Sequence, residues 1–361
     1  MTEQKQYGAD LVVDSLINHD VEYVFGIPGA KIDRVFDTLE DKGPKLIVAR
    51  HEQNAAFMAQ GIGRITGNPG VVITTSGPGV SNLATGLVTA TDEGDPVLAI
   101  SGQVKRCDLL KRSHQSMKNV AMMEPVTKSA VEVHDPNTLS EIIANAHRVA
   151  KSGRRGASFI SIPQDVTDSL VSVKAIKPLT DPKLGSASVD DVNYLAQAIR
   201  NAELPVLLLG NGASTRAVTK SIRKLLEAVK LPVVETFQGA GIVSRELEED
   251  TFFGRVGLFR NQPGDMLLKK ADLVIAIGYD PIEYEARNWN AEISARIIVI
   301  DVAQAEIDTY FQPERELIGD IADTIDLLLP AVNGYTLPKT SVDYLQNLKK
   351  NVVGDVKFDR D

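Results

Sequence analysis

Glu52 lies in the stretch of this chain whose residue types best suit ligand chemistry. Residues 50–82 read RHEQNAAFMAQGIGRITGNPGVVITTSGPGVSN, with His51-Glu52 closing one apolar run and Gly77-Pro78-Gly79 closing the next. A carboxylate between a strand end and a helix start can face a ligand, and a Gly-Pro-Gly turn lets the backbone come close to one. The same turn ahead of a helix can bind an anion through free amide groups, or it can simply supply the dihedral angles a strand-to-helix turn needs. Glu52 also has a structural reading, because a carboxylate near a helix N-terminus is favoured by about 0.3–1 kcal/mol. Residue types alone leave these readings open.

The other chemistry-bearing residues are scattered. His51, His114 and His134 fall in different loops, with no spacing that suits zinc, so no metal site is expected among them. Cys107 is the single cysteine, which excludes an intrachain disulfide; Arg106 beside it can lower a thiol pKa, but no partnered His-Asn pattern makes it a nucleophile. Gly210-Asn-Gly212-Ala-Ser-Thr215 follows an apolar run but lacks the third glycine of a dinucleotide fingerprint, so a tight turn is the simpler reading. Asp301 is most simply an N-cap or a solvated loop acid.

Apolar periodicity places helices at 7–18, 54–67, 80–91 and 137–151, and strands at 23–25, 45–50, 71–76, 96–101, 126–133 and 157–162. Gly61 and Gly63 each weaken the helix at 54–67 by about 1 kcal/mol relative to Ala, and such glycines usually mark close packing. The polar, aperiodic stretch 102–125 has no assigned element, and long loops in compact domains tend to be functional. A second alternating series has helices at 189–201 and 215–228 and strands at 205–209, 232–236, 272–277 and 296–300. The expected fold is therefore α/β, with two doubly wound, mainly parallel sheets. Expected boundaries are a first domain at 1–170, a Pro/Gly/Ser-rich linker at 171–187, a second, Rossmann-like domain at 188–330 and a connector at 331–361.

The chain has 361 residues, too many for one compact core, with 43% hydrophobic and 24% charged residues as in soluble globular proteins. A net charge of −9 argues against a nucleic-acid partner. No apolar run approaches membrane-spanning length and the N-terminus has no signal-peptide pattern, so no membrane partner and a cytoplasmic location are expected.

Several motifs carry a resemblance. Phe25-Gly-Ile-Pro-Gly-Ala-Lys31-Ile-Asp33, Arg50-His-Glu-Gln-Asn-Ala-Ala56, Thr75-Ser-Gly-Pro-Gly79 with Asn82, and Glu93-Gly-Asp-Pro96 are similar to those of thiamine-diphosphate-dependent enzymes. More closely, they resemble the catabolic, FAD-independent acetolactate synthases. The resemblance continues through His114-Gln-Ser-Met117, Val126-Thr-Lys128, Ile162-Pro-Gln-Asp-Val166, Gly254-Arg-Val-Gly-Leu-Phe259 and Ile277-Gly-Tyr279, so it covers both domains in order.

The resemblance implies that the first domain binds the cofactor's aminopyrimidine and that Glu52 hydrogen-bonds its N1′ atom. A carboxylate in a water-poor site suits this task, because a strong, oriented hydrogen bond tunes the ring's basicity. It further implies that Pro28, Gly29, Gly77 and Pro78 lie beside the pyrimidine, that Asn82 supports it, that Gln115 reaches toward the reacting carbons and that Lys31 partners a pyruvate carboxylate. The implied reaction decarboxylates pyruvate and joins the remaining fragment to a second pyruvate, giving 2-acetolactate and CO2. His114 stands where biosynthetic relatives carry Phe. Those relatives also carry an Arg-Phe-Asp-Asp-Arg run where this chain has Gly278-Tyr-Asp-Pro-Ile-Glu-Tyr284, which implies no FAD.

The family's third domain binds diphosphate and Mg²⁺ through a Gly-Asp motif followed by Asn. Here the Gly-Asp pairs at Gly94, Gly264 and Gly319 fall inside the two assigned domains, and the pair at Gly354 lies close to the last residue. The diphosphate and metal ligands are therefore expected outside this chain, which is read as a fragment, inactive alone, of an enzyme of at least two subunits. Alternative readings are another thiamine-diphosphate-dependent 2-oxo acid decarboxylase or oxidase, and a non-catalytic nucleotide-binding or assembly module.

Overall fold

The computed structural model describes residues 5–109, 111–257 and 262–354, with side chains described through Lys350. Leu258 and Phe259 of the Gly254–Phe259 motif, and Asp355 of the last Gly-Asp pair, lie outside the described residues. The chain divides into two compact units between Asp181 and Pro182.

The first unit has strands β1 (Tyr23–Gly26), β2 (Lys45–Val48), β3 (Gly70–Thr74), β4 (Val97–Gln103), β5 (Ser129–Glu132) and β6 (Ala157–Pro163). All pair in parallel, in the order β2-β1-β3-β4-β6-β5. Its helices are α1 (Gly8–Asn18), α2 (Asp33–Lys42), α3 (Glu52–Thr66), α4 (Pro78–Asp92), α5 (Asn119–Met123), α6 (Leu139–Lys151) and α7 (Gln164–Thr167). The central strands β3, β4 and β6 are buried at every residue, which is why they read as near-continuous apolar runs. Alternation then sorts the core: Val71 and Ile73 join Leu11, Leu16 and Ile160 on one face, while Val72 joins Ala55, Ala59, Leu83 and Leu87 on the other.

Local signals set the ends of α3. His51 is its N-cap, its Nδ1 accepting from the Gln53 amide at 3.2 Å, and Gly67 ends it at φ +73°. The expectation of close packing holds for Gly63, where an added Cβ would lie 2.1 Å from the Pro96 carbonyl oxygen. It does not hold for Gly61, around which a Cβ would meet nothing within 4 Å. The stretch 102–125 contains regular elements: β4 runs on to Gln103 and α5 begins at Asn119.

On the outer side of this unit, His147 of α6 is buried, with its ring centroid 4.7 Å from that of His19. Burial, reinforced by His19 and Lys151 and opposed by Asp181, lowers the His147 pKa to about 4. A histidine depressed in the folded state stabilises fully above the unfolded pKa of about 6.5, and that contribution is lost as pH falls toward 4. Urea unfolding should therefore weaken by up to about 3 kcal/mol more in the native chain than in a His147→Gln variant as pH drops from 6.5 to 4. Parallel pH profiles for the two proteins would refute this.

The second unit has strands β7 (Pro205–Leu209), β8 (Val233–Thr236), β9 (Phe252–Val256), β10 (Leu273–Ile277), β11 (Arg296–Asp301) and β12 (Arg315–Ile318). They too are parallel, in the order β12-β11-β10-β7-β8-β9. Helices α8 (Val189–Asn201), α9 (Arg216–Ala228), α10 (Arg245–Thr251), α11 (Pro263–Lys270), α12 (Ile321–Val332) and α13 (Lys339–Gly354) accompany them. Two six-stranded parallel sheets with interleaved helices match the expected α/β class.

The stretch read as a linker is tied down at both ends. Val171 donates to the Gln6 carbonyl and Ile176 to Ser140 in the first unit, while Gly185 accepts from the Asp320 amide in the second. The stretch read as a connector forms α13, whose Leu345 and Leu348 are buried with Leu204, Val206 and Val274. Among the described residues no helix is long and apolar enough to cross a membrane.

Candidate active site

Strand order locates the first unit's crevice. From β1 the chain steps to β2 on one side and then to β3 on the other, and such a reversal opens a cleft at the carboxyl ends of the strands. The segment 27–29 leaves β1 there, Glu52 follows β2 as the first residue of α3, and 75–79 leave β3.

Glu52 is half-buried and accepts a hydrogen bond at Oε2 from Asn82 Nδ2 of α4, at 2.9 Å. No other hydrogen bond to its carboxylate exists among the described residues, so Oε1 is available. The space beside Oε1 is kept by Gly79, whose added Cβ would lie 3.6 Å from Oε1 and only 2.5 Å from Thr74 Oγ1. Across the cleft, a Cβ on Gly29 would meet Thr75 at 2.6 Å. Thr75 is thus wedged between Gly29 and Gly79, which therefore tolerate no side chain. The Thr74 and Thr75 hydroxyls are both buried without a hydrogen-bond partner, although such groups are normally paired.

Gln115 joins this cluster through its backbone. Its carbonyl accepts from Ser76 Oγ at 2.6 Å, and a Cβ on Gly77, itself at φ +62°, would lie 3.1 Å from Gln115. Gln115 is held at φ +63°, a conformation that costs a non-glycine residue free energy and concentrates at functional sites. Buried Gln103 braces the same segment, its Oε1 accepting from the Val104 amide and its Nε2 donating to the Met117 carbonyl at 2.8 Å. Gly29, Glu52, Gly77, Asn82 and Gln115 therefore converge, and Pro28 and Pro78 lie exposed at the margins. Lys31 sits in the turn ahead of α2, half-buried, with no hydrogen bond or ion pair to this cluster among the described residues. His114 is exposed.

Thr74, Thr75 and Gln103 were not among the expected site residues. Polar residues at the carboxyl ends of otherwise apolar strands are the signal that points to them. Arg106 is engaged by Asp165, at 2.7 Å, and by the His134 carbonyl, so it is not free to act on exposed Cys107. Among the described residues no three His, Cys, Asp or Glu side chains are grouped to hold a metal ion.

The three described Gly-Asp carboxylates are engaged locally. Asp95 takes Arg64 and Gln60, Asp265 takes the Gln262 amide and the Tyr284 hydroxyl, and Asp320 caps α12 through the Asp323 amide.

The second unit's strand order reverses between β7 and β10, and that crevice is filled from within. A Cβ on Gly210 would lie 2.5 Å from the Gly278 carbonyl oxygen and 2.7 Å from Glu283 Oε1. Glu283 accepts from the Asn211 amide at 3.0 Å and from Thr236 Oγ1 at 2.6 Å. Burial pushes its carboxyl pKa up, against the pull of these two donors.

Comparison with known proteins bears on both units. Residues 6–122 match the family described as "Thiamine pyrophosphate enzyme, N-terminal TPP binding domain", and residues 192–328 match its "central domain". This chain belongs to the thiamine pyrophosphate enzymes. The first of these matches contains the whole Glu52 cluster, and the second contains the Gly210 crevice. An acetolactate synthase of Bacillus subtilis (strain 168) is 55% identical over 322 residues, covering 89% of this chain and 56% of the relative. A catabolic acetolactate synthase of Raoultella terrigena is 48% identical over 90% of this chain and 58% of its own length. A probable acetolactate synthase large subunit of Methanocaldococcus jannaschii is 30% identical over 98% of this chain and 61% of its own length. The chain thus spans little more than half the length of these relatives.

Proposed function

We propose that this chain supplies the pyrimidine-binding half of the active site of an FAD-independent acetolactate synthase. The observation that carries the reading is the Glu52 carboxylate, fixed by Asn82 at one oxygen and left open at the other beside a glycine-lined cleft. A flat, polar heterocycle suits that cleft: glycine at 29 and 79 leaves room for a ring, and the unpaired Thr74 and Thr75 hydroxyls can meet its polar edge.

Glu52 would hydrogen-bond N1′ and hold a proton on that ring nitrogen, and Asn82 would keep the carboxylate in line with it. Pro28, Gly29, Gly77 and Pro78 would border the ring and exclude water. Gln115 would be presented to substrate by the strained turn that Ser76 and Gln103 brace. Lys31, on the loop leaving the same strand as Gly29, would attract the pyruvate carboxylate. Thiamine diphosphate, when bound, acts as the electron sink for loss of CO2 from pyruvate and for bond formation to a second pyruvate.

Diphosphate and Mg²⁺ would be held by a further domain, since hard cations require oxygen ligands and the Gly-Asp carboxylates described above are already engaged. A second subunit is supported by α3, which exposes Phe57, Met58 and Ile65 just beyond Glu52. FAD is disfavoured because the Asn211 amide that a pyrophosphate would seek already serves Glu283, a carboxylate that repels phosphate. The protein would work on pyruvate in the cytoplasm.

The test joins this chain to the C-terminal remainder of the Bacillus subtilis relative. The hybrid should form acetolactate from pyruvate with thiamine diphosphate and Mg²⁺ and without added FAD. A folded hybrid that binds the cofactor yet forms no acetolactate, or that needs FAD, would overturn the proposal.

A further inference from the structure

Helix α9 carries an arrangement of charge that its own stability does not explain. Arg216, Lys220, Arg223, Lys224 and Glu227 share one face, and with Ser214, Thr219 and Gly241 they line a cavity of about 550 Å³. The space is an open groove at the surface rather than an enclosed pocket. Four cations and one carboxylate face this space, in a chain of net charge −9.

The placement is unfavourable for an isolated helix. Arg216 is the first residue of α9 and no acid occupies the first turn, so positive charge sits at the positive end of the helix dipole. Arg216 with Lys220, and Lys220 with Lys224, are like charges four residues apart, which also destabilise a helix. Neither Arg216 nor Lys220 has a hydrogen-bond or ion-pair partner among the described residues, and Lys224 only approaches Asp326 at 3.7 Å. Arg223 is held in place, its Nε donating to the Ile242 carbonyl at 2.7 Å and its Nη2 to the Gly241 carbonyl at 2.9 Å. The opposite wall at Gly241 is bare, since a Cβ there would meet nothing within 4 Å. A compact anion would relieve the repulsion and use the fixed guanidinium.

We propose that this groove of the second unit binds a small, multiply charged phosphate anion, with Arg216, Lys220 and Arg223 as its contacts. This groove belongs to the second unit and the Glu52 cleft to the first, and the proposal does not depend on the function proposed for that cleft.

Inorganic pyrophosphate, titrated calorimetrically into this chain in low salt, is the probe. Saturable binding is expected, at least tenfold weaker in the Arg216→Ala/Lys220→Ala double variant and markedly weaker on adding salt. Binding unchanged in a Glu52→Gln variant would support the location, and binding lost in it would overturn it. Without anion, the double variant should unfold at a temperature no lower than the native chain; a lower temperature would remove the argument from repulsion. No saturable binding up to about 10 mM, equal binding by the double variant, or equal affinity for sulfate would each overturn the proposal.

Discussion

Replacing Glu52 by Gln should slow deuterium exchange at C2 of bound thiamine diphosphate by about 10²–10⁴-fold, the range in which a positioned acid–base group contributes. The measurement belongs in the hybrid that carries a diphosphate-binding domain. Glutamine matches the shape of glutamate and can still accept from Asn82 Nδ2 through its carbonyl oxygen, so folding and cofactor affinity should change little. What it cannot do is hold the ring's N1′ proton through an anionic oxygen. The effect should therefore fall on exchange and turnover rather than on binding. Exchange at the native rate in a folded, cofactor-loaded Glu52→Gln protein would remove Glu52 from the role proposed for it.

A clear loss of stability is expected from a single methyl group at Gly63. An alanine Cβ there would lie 2.1 Å from the Pro96 carbonyl oxygen, which also accepts the Gly70 amide where α3 turns into β3. The clash is with backbone rather than a movable side chain, so α3 must shift away from the sheet or the Pro96 peptide must rotate. Overpacking of this kind costs about 1–3 kcal/mol or more, and the gain of about 1 kcal/mol in helix propensity offsets only part of it. Gly63→Ala should thus lower the urea unfolding free energy of this chain, by at least about 1 kcal/mol net. Gly61→Ala, two residues along the same helix and in open space, should raise it by about 1 kcal/mol. If both substitutions moved stability in the same direction, the placement of α3 against β4 would be wrong.

These two glycines also mark how far the amino-acid sequence can be read. A glycine inside a helical pattern announces a possible close approach, but only the fold decides which one faces the sheet. The central strands were legible because burial on both faces demands continuous apolar runs, as in β3, β4, β7 and β10. Strands β9 and β12 escaped because they close the sheet edges. Arg255 and the ends of β12 face solvent there, so the apolar run is broken. Helix α2 escaped because it has just three apolar residues, Val35, Phe36 and Leu39, set among charges over ten residues.

At the site, Glu52 and the glycine turn stood out by type and position. The Asn82–Glu52 bond spans 30 residues and depends on how α3 packs on α4, which no local pattern encodes. The wedging of Thr75 and the brace from Gln103 likewise exist only after β1, β3 and β4 are assembled side by side.

That assembly has an order imposed by topology. Strand β6 lies between β4 and β5, so these two have no partner on their shared side until residues 157–163 arrive. During synthesis, some fifty residues after β4 is complete, one edge of this strand, buried along its whole length in the fold, is still unpaired, and parallel pairing across such a separation is slow. The nascent first unit therefore passes through a stage in which its central strand is open to another chain. A ribosome-bound product ending near residue 155 should be prone to aggregate or to recruit chaperones, whereas one extended past β6 should be protected from both.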